Sequence, residues 1–147
     1  MRKYILFPLI LFVAVLPFVS CELETSDNGD LDGFWHLVRI DTLATQGTCD
    51  MKQERIFWSF QKDLLKVDDK TGGNSSILLR FNHSGGNLTL SDPYIYDREA
   101  GDIKLDDVEP LRPFGINAIT ETFGVEGLSG SHMTIASPVL RLSFKKM

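Results

Sequence analysis

The 147-residue sequence predicts an all-β fold, an up-and-down antiparallel barrel of eight strands carrying one short helix. Three observations predict it: strand-length runs separated by Gly, Asn, Asp and Ser clusters, alternation of side chains within those runs, and a scarcity of helical patterns. Eight antiparallel strands close on themselves and hide their edges, leaving an interior filled by side chains or holding one small ligand. A two-sheet sandwich built from the same strands is the alternative that periodicity leaves open.

The first strand is Gly33 to Asp41, with Phe34, His36, Val38 and Ile40 on one face and Trp35, Leu37 and Arg39 on the other. Glu54 to Phe60, Leu64 to Asp68, Ser76 to Asn82, Asn87 to Ser91, Glu121 to Leu128, His132 to Ala136 and Val139 to Lys145 follow. Gln61-Lys62-Asp63, His83-Ser84-Gly85-Gly86 and Ser129-Gly130-Ser131 read as hairpin turns, in which glycine supplies the positive φ that tight turns demand. Thr45 to Asp50, around Cys49, reads as a loop. The stretch from Asp92 to Thr120 holds three of the six prolines (Pro93, Pro110, Pro113) and reads as a long loop with a short helix near Leu111 to Ile119.

Ahead of these strands, Arg2-Lys3 opens an apolar run, and Leu16-Pro17-Phe18-Val19-Ser20 places a small residue before Cys21. Ile5 to Val19 is shorter than the roughly twenty residues a helix needs to span a bilayer, so cleavage is expected rather than spanning. The segment resembles a bacterial lipoprotein signal, with Cys21 as the lipidated residue; an ordinary secretory signal is its rival. Lipid chains act together at about 0.8 kcal/mol per buried methylene, so multiple acylation anchors firmly. The expected organisation is a signal at residues 1–20, a lipidated cysteine and acidic tether at 21–30, and one domain at 31–147. The nine residues from Glu22 to Asp30 span about 16 Å on average.

Removing residues 1–20 takes Arg2 and Lys3 but no acid, so 15 basic residues become 13 against 20 acidic ones, a net charge of −7. Nucleic acid is excluded as a partner on that ground, because phosphate binding needs clustered Lys and Arg. With Cys21 assigned to lipid, Cys49 has no intramolecular partner for a disulfide. No metal or cofactor is expected: His36, His83 and His132 lie in different segments without a second ligand at metal spacing. The acidic run from Asp97 to Glu109 fails the calcium-loop pattern at its twelfth position, Val108. No catalytic residue stands out, since no nucleophile elbow or acid–base pair is visible, and the chain reads as a non-enzyme.

Leu31-Asp32-Gly33-Phe34-Trp35-His36-Leu37 resembles the Gly-x-Trp opening of the first lipocalin strand, and Val139 to Phe144 resembles the closing strand. The chain after Cys21 resembles the small lipocalin-like lipoproteins of Bacteroidetes, sharing the pattern of Ile56 to Gln61, of Leu111-Arg112-Pro113-Phe114-Gly115-Ile116-Asn117, and of the terminal hairpin. The resemblance implies that Trp35 closes one end of the barrel beneath Arg141, whose guanidinium plane stacks on indole. It also implies an envelope location, in the outer membrane and with an acidic tether like that of surface-displayed members. Asp41-Thr42-Leu43 resembles a Bacteroidetes O-glycosylation sequence with Thr42 as acceptor.

Trp58, Phe60, Phe81, Tyr94 and Tyr96 are the candidate ligand pocket, because aromatic walls with a few polar handles suit small apolar ligands. A packed core is the competing use of the same residues. Two functions follow: binding of a small apolar ligand in the barrel, or docking to another envelope protein with the barrel as a filled scaffold.

Overall fold

The computed structural model describes residues 28–97 and 99–147; the signal and Cys21 lie outside the described residues. Ten strands form one antiparallel sheet: β1 (Gly33–Thr42), β2 (Gly47–Asp50), β3 (Ile56–Gln61), β4 (Leu64–Asp69), β5 (Ile77–Ser84), β6 (Asn87–Ile95), β7 (Ile103–Lys104), β8 (Glu121–Leu128), β9 (His132–Ala136) and β10 (Leu140–Lys146). Eight of them, in the order β10-β9-β8-β6-β5-β4-β3-β1, close through a β10–β1 pairing. The barrel is therefore the realised alternative and the sandwich is not.

The two additional strands lie on the barrel wall. β1 outruns β3 and fills the exposed part of its edge with β2, turned by Gln46 at φ 58°. Thr45–Asp50 is thus more than a loop: its last four residues satisfy a backbone edge that β3 is too short to reach. β7 pairs with Tyr94 and Ile95, the end of a β6 that runs four residues past Ser91. The predicted helix is a 3-10 helix, Glu109–Phe114, because Pro113 lies within it and Gly115 ends it at φ 88°.

The two faces of β1 do not keep the assignment that strict alternation gives. A register shift between Leu37 and Arg39 changes the phase, so Trp35 and Leu37 are buried, Arg39 turns out to solvent and Ile40 packs against the core. One extra residue moves every later side chain to the opposite face. At the β3–β4 turn positive φ comes from Lys62 (58°) rather than glycine, whereas Gly85 (60°) and Gly86 (80°) supply it between β5 and β6.

Antiparallel order defines two mouths. The start of β1, the turns β3–β4, β5–β6 and β8–β9, and the end of β10 share the near mouth, where the N-terminal segment enters. The connection from β6 to β8 crosses the far mouth.

Candidate functional site

Inward positions on the eight barrel strands are apolar except for Glu121 at the start of β8, and the apolar ones meet. Trp58 lies 4.9 Å from Phe144 and 6.1 Å from Phe123, centroid to centroid, and Phe60 meets Phe81 edge-on at 5.0 Å. Trp35, Trp58, Phe123 and Phe144 are at most 1% exposed, and Leu65, Val67, Ile77, Leu88, Leu90 and Leu142 fill the space among them. Of the five residues expected around a ligand, Trp58, Phe60 and Phe81 are thus core. Tyr94 and Tyr96 are half-buried on the strand and strand end flanking β7, away from that cluster.

Each mouth is closed by a short segment hung from an indole. At the near mouth a 3-10 turn, Gly29–Leu31, inserts the fully buried Leu31, and Trp35 Nε1 donates to the Leu31 carbonyl at 2.9 Å. At the far mouth Leu105, Leu111, Phe114 and Ile116 are buried, and Trp58 Nε1 donates to the Phe114 carbonyl at 3.1 Å. Trp35 and Trp58 face each other across β1 and β3. Both N–H groups are buried, and the two carbonyls satisfy them.

The cation over Trp35 is Lys146, not Arg141. Lys146 Nζ lies 4.8 Å from the ring centroid and donates to the Asp30 carbonyl at 2.8 Å. Register decides this: Trp35 pairs with Lys146, whereas Arg141 pairs with Asp41 six residues further along β1. Arg141 instead grips Glu126 through two bonds of 2.6 and 3.0 Å on the barrel exterior, which holds the Glu126 carboxyl below its ordinary range. Asn28 and Asp30 already belong to the packed end, since Asn28 Nδ2 donates to the Lys62 carbonyl at 2.7 Å.

The exterior of β1, β3, β4, β5 and β6 is unusual for a wetted barrel wall, which normally alternates to polar residues. Direct register aligns Phe34, Ser59, Lys66, Leu78, Tyr94 and Lys104 in one row. Beside it His36, Phe57 and Asp68 form a second row, in which Phe57 stacks on Phe34 at 4.7 Å and on His36 at 4.8 Å. Lys70 lies over Phe34 and Lys66 over Tyr96, at 5.8 and 5.1 Å. Asp68, 5% exposed, accepts from Ser76 Oγ and sits between Lys66 (3.7 Å) and Lys70 (3.6 Å).

Three clefts run side by side across this face. One of about 390 Å3 is lined by Asp32, Gly33, Phe34, Ser59, Phe60 and Gln61. The next, about 340 Å3, shares Ser59 and Gln61 and extends over Lys62, Asp63, Leu64 and Lys66. The third, about 350 Å3, shares Leu64 and is completed by Leu78, Leu79, Arg80, Asp92, Tyr94 and Asp102. Four interstrand steps of about 4.8 Å make this trough roughly 19 Å long.

Glu121 is the inward carboxylate of the far mouth. It is 8% exposed and accepts the Asn117 backbone N–H at 3.0 Å; burial raises its pKa, opposed by that bond and by Arg112. Arg112 also donates to Glu109 (2.9 Å) and to Asn117 Oδ1 (3.1 Å), tying the 3-10 helix to the strand that follows. Thr42 ends β1, half-buried, with its backbone between Leu140 and Gly47, and Asp41 beside it is bonded to Arg39 and Thr48. Cys49 is exposed and free. Among the described residues no three His, Cys, Asp or Glu side chains group to hold a metal ion, and no helix is long and apolar enough to cross a membrane.

Sequence reasoning did not single out Leu64, Leu78, Arg80 or Asp92; it met Asp102 only within the acidic run from Asp97 to Glu109, and Lys146 only as one of the C-terminal lysines. The signal for Leu64 and Leu78 was present: each stands next to another leucine in a strand, so one of each pair must face outward.

The chain matches the lipocalin-like domain family over residues 15–147 and belongs to it. Two solved structures share its fold. A lipocalin-like protein from Bacteroides uniformis is similar with a TM-score of 0.61 and 22% identity, covering 81% of this chain and 100% of its own. An uncharacterized protein from Bacteroides eggerthii is similar with a TM-score of 0.58 and 16% identity, covering 80% of this chain and 99% of its own. No curated protein matches the chain.

Proposed function

We propose that this lipocalin-like chain is a non-catalytic binding module of a bacterial cell envelope, anchored through lipid on Cys21, whose barrel is a filled scaffold and whose recognition surface is the exterior of β1, β3, β4, β5 and β6. The filled interior carries this reading. An apolar ligand entering the barrel has to displace side chains such as Trp58 and Phe123 that are already fully buried, whereas the exterior presents Phe34, Leu64, Leu78 and Tyr94 beside open clefts. Burying such side chains against a partner contributes about 25 cal/mol per Å2 of apolar surface. The anchor rests on the Leu16–Ser20 run before Cys21, and the outer membrane is its proposed location.

A second reading keeps the ligand inside. The far mouth is closed by a connection rather than by barrel strands, and swinging Leu111, Phe114 and Ile116 outward would open apolar volume beneath Trp58.

The test is retention of envelope components by the intact chain isolated from membranes, comparing the unaltered protein with a Phe34→Ala, Tyr94→Ala double variant. Loss of a component with the double variant, and its retention by Thr134→Ala on β9, is expected. Equal retention by all three would contradict an exterior recognition surface. For the anchor, Cys21→Ala is expected to leave the membrane fraction, and unchanged association would overturn it.

A further inference from the structure

We infer that the cleft between β4, β5, β6 and β7 is a saccharide site that takes a neutral pyranose ring, a proposal that rests on the exterior-recognition reading and names its ligand class. The cleft measures about 350 Å3 and is lined by Leu64, Leu78, Arg80, Asp92, Tyr94 and Asp102. That volume lies inside the range of about 300–1,000 Å3 typical of small-molecule sites.

Its construction is specific. The β5–β6 ladder pairs Leu78 with Tyr94 but Arg80 with Ser91, so Asp92 and Pro93 together oppose the single residue Leu79. This bulge turns Asp92 outward; Asp92 adopts φ 50°, a left-handed conformation uncommon for a residue with a Cβ. Such backbone persists only where the surrounding pairing imposes it, and it concentrates at binding sites. Pro93 cannot donate to the ladder, and its carbonyl accepts Leu105 N–H at 2.9 Å, which brings β7 alongside. β7 pairs Lys104 with Tyr94. Asp92 and Asp102 therefore flank Tyr94 from opposite directions along the strand.

The chemistry presented is that of a ring with one apolar face and a hydroxylated edge. Tyr94 and Leu78, cross-strand neighbours, form a platform on which the C–H face of a pyranose can lie, and exposed Leu64 extends it. Asp92 and Asp102 have no protein partner among the described residues and accept hydrogen bonds from vicinal hydroxyls. Arg80 engages Asp63 through Nη1 at 2.8 Å, and its guanidinium has further N–H donors for a ring or hydroxyl oxygen. With Asp63, which Arg80 already engages, Arg80 and Lys104 face three carboxylates, which disfavours a phosphate relative to a neutral ligand. The trough continuing over Ser59 and Gln61 to Phe34 leaves room for further rings.

The experiment is a titration of the full chain in detergent with maltose, cellobiose and lactose, following the backbone amide resonances of β5, β6 and β7 by NMR. Saturable shifts are expected with at least one of them. Tyr94→Ala is expected to weaken that affinity by about tenfold, the scale of one stacked aromatic contact. Tyr94→Phe is expected to retain it, and Asp92→Asn, which keeps the tolerance for positive φ, to weaken it several-fold. No saturable shift with any of the three sugars, an affinity unchanged in Tyr94→Ala, or saturation by spermidine in their place would overturn the assignment. Absence of sugar binding together with continued loss of envelope components from the Phe34→Ala, Tyr94→Ala variant would refute the saccharide and leave the exterior surface standing.

Discussion

The two walls of this barrel share an interior and differ outside. β8, β9 and β10 turn Thr122, Thr134, Ser143 and Lys145 outward, with Arg141 and Glu126 paired across them. β1 and β3 to β6 turn Phe34, Phe57, Leu64, Leu78 and Tyr94 outward, three of them half-buried, Phe57 covered and Leu64 42% exposed. Inside, both walls supply the same kind of residue: Phe123, Met133, Leu142 and Phe144 from one, Trp58, Phe60, Leu65 and Leu79 from the other. A stable barrel thus has no need of apolar side chains on its outer surface, as the β8–β10 wall demonstrates. The aromatic wall is more than the barrel pattern requires, and this contiguous exterior patch is what motivates the proposed recognition surface.

Interior and exterior should separate most sharply under alanine substitution. Trp58→Ala removes the bond to Phe114 and the packing on Phe123 and Phe144, and should cost about 3–5 kcal/mol in a denaturant titration. Tyr94→Ala should stay within about 0.5 kcal/mol of the unaltered chain. A Tyr94 cost as large as that of Trp58 would make the outer wall structural. Next is Gly115→Ala: a Cβ there would lie 2.9 Å from Leu142 Cδ2 on a residue at φ 88°, so about 1–3 kcal/mol should be lost at the far mouth.

Smaller still is the contrast at the near mouth. Lys146→Ala should cost about 1 kcal/mol through its contacts with Trp35 and the Asp30 carbonyl. Arg141→Ala should cost less, because Arg141 and Glu126 are 39% and 42% exposed and solvent screens their pairing. The opposite order would restore Arg141 as the closing residue.

The smallest effect is one of pH. Burial holds the Glu121 pKa above its ordinary 4.5, so on acidification the native state takes up that proton before the unfolded chain does. Glu121 therefore adds stability as pH falls through its folded value towards 4.5, opposite in sign to Asp41, Asp69 and Glu126, whose pKa values are lowered. Glu121→Gln should remove this component while keeping an acceptor for Asn117 N–H. The check is the difference in melting temperature between the two proteins across pH 4 to 7; a difference independent of pH would contradict it.

All eight barrel strands were legible because alternation and turn residues are local properties of a chain. β2, β7 and the end of β6 were not, since each depends on a neighbour: β2 on the length by which β1 outruns β3, β7 on a proline-bearing bulge. The Leu37/Arg39 shift has the same character, visible only once β10 is paired. At the candidate site the aromatic residues were legible by type but not by side. Phe60 and Tyr94 look alike as candidates for a pocket wall, and only strand phase sends one inward and the other out. Lys146 was missed because its role depends on a register that brings the end of β10 over Trp35.

The barrel is a scaffold already filled, and the chain carries its own reporters of that state in Trp35 and Trp58, its two tryptophans. A titration with a long-chain fatty acid, read by indole emission, is the direct test. No saturable change in intensity or wavelength is expected. A stoichiometric, saturable change that Trp58→Phe diminishes would place a ligand inside the barrel and contradict the filled scaffold.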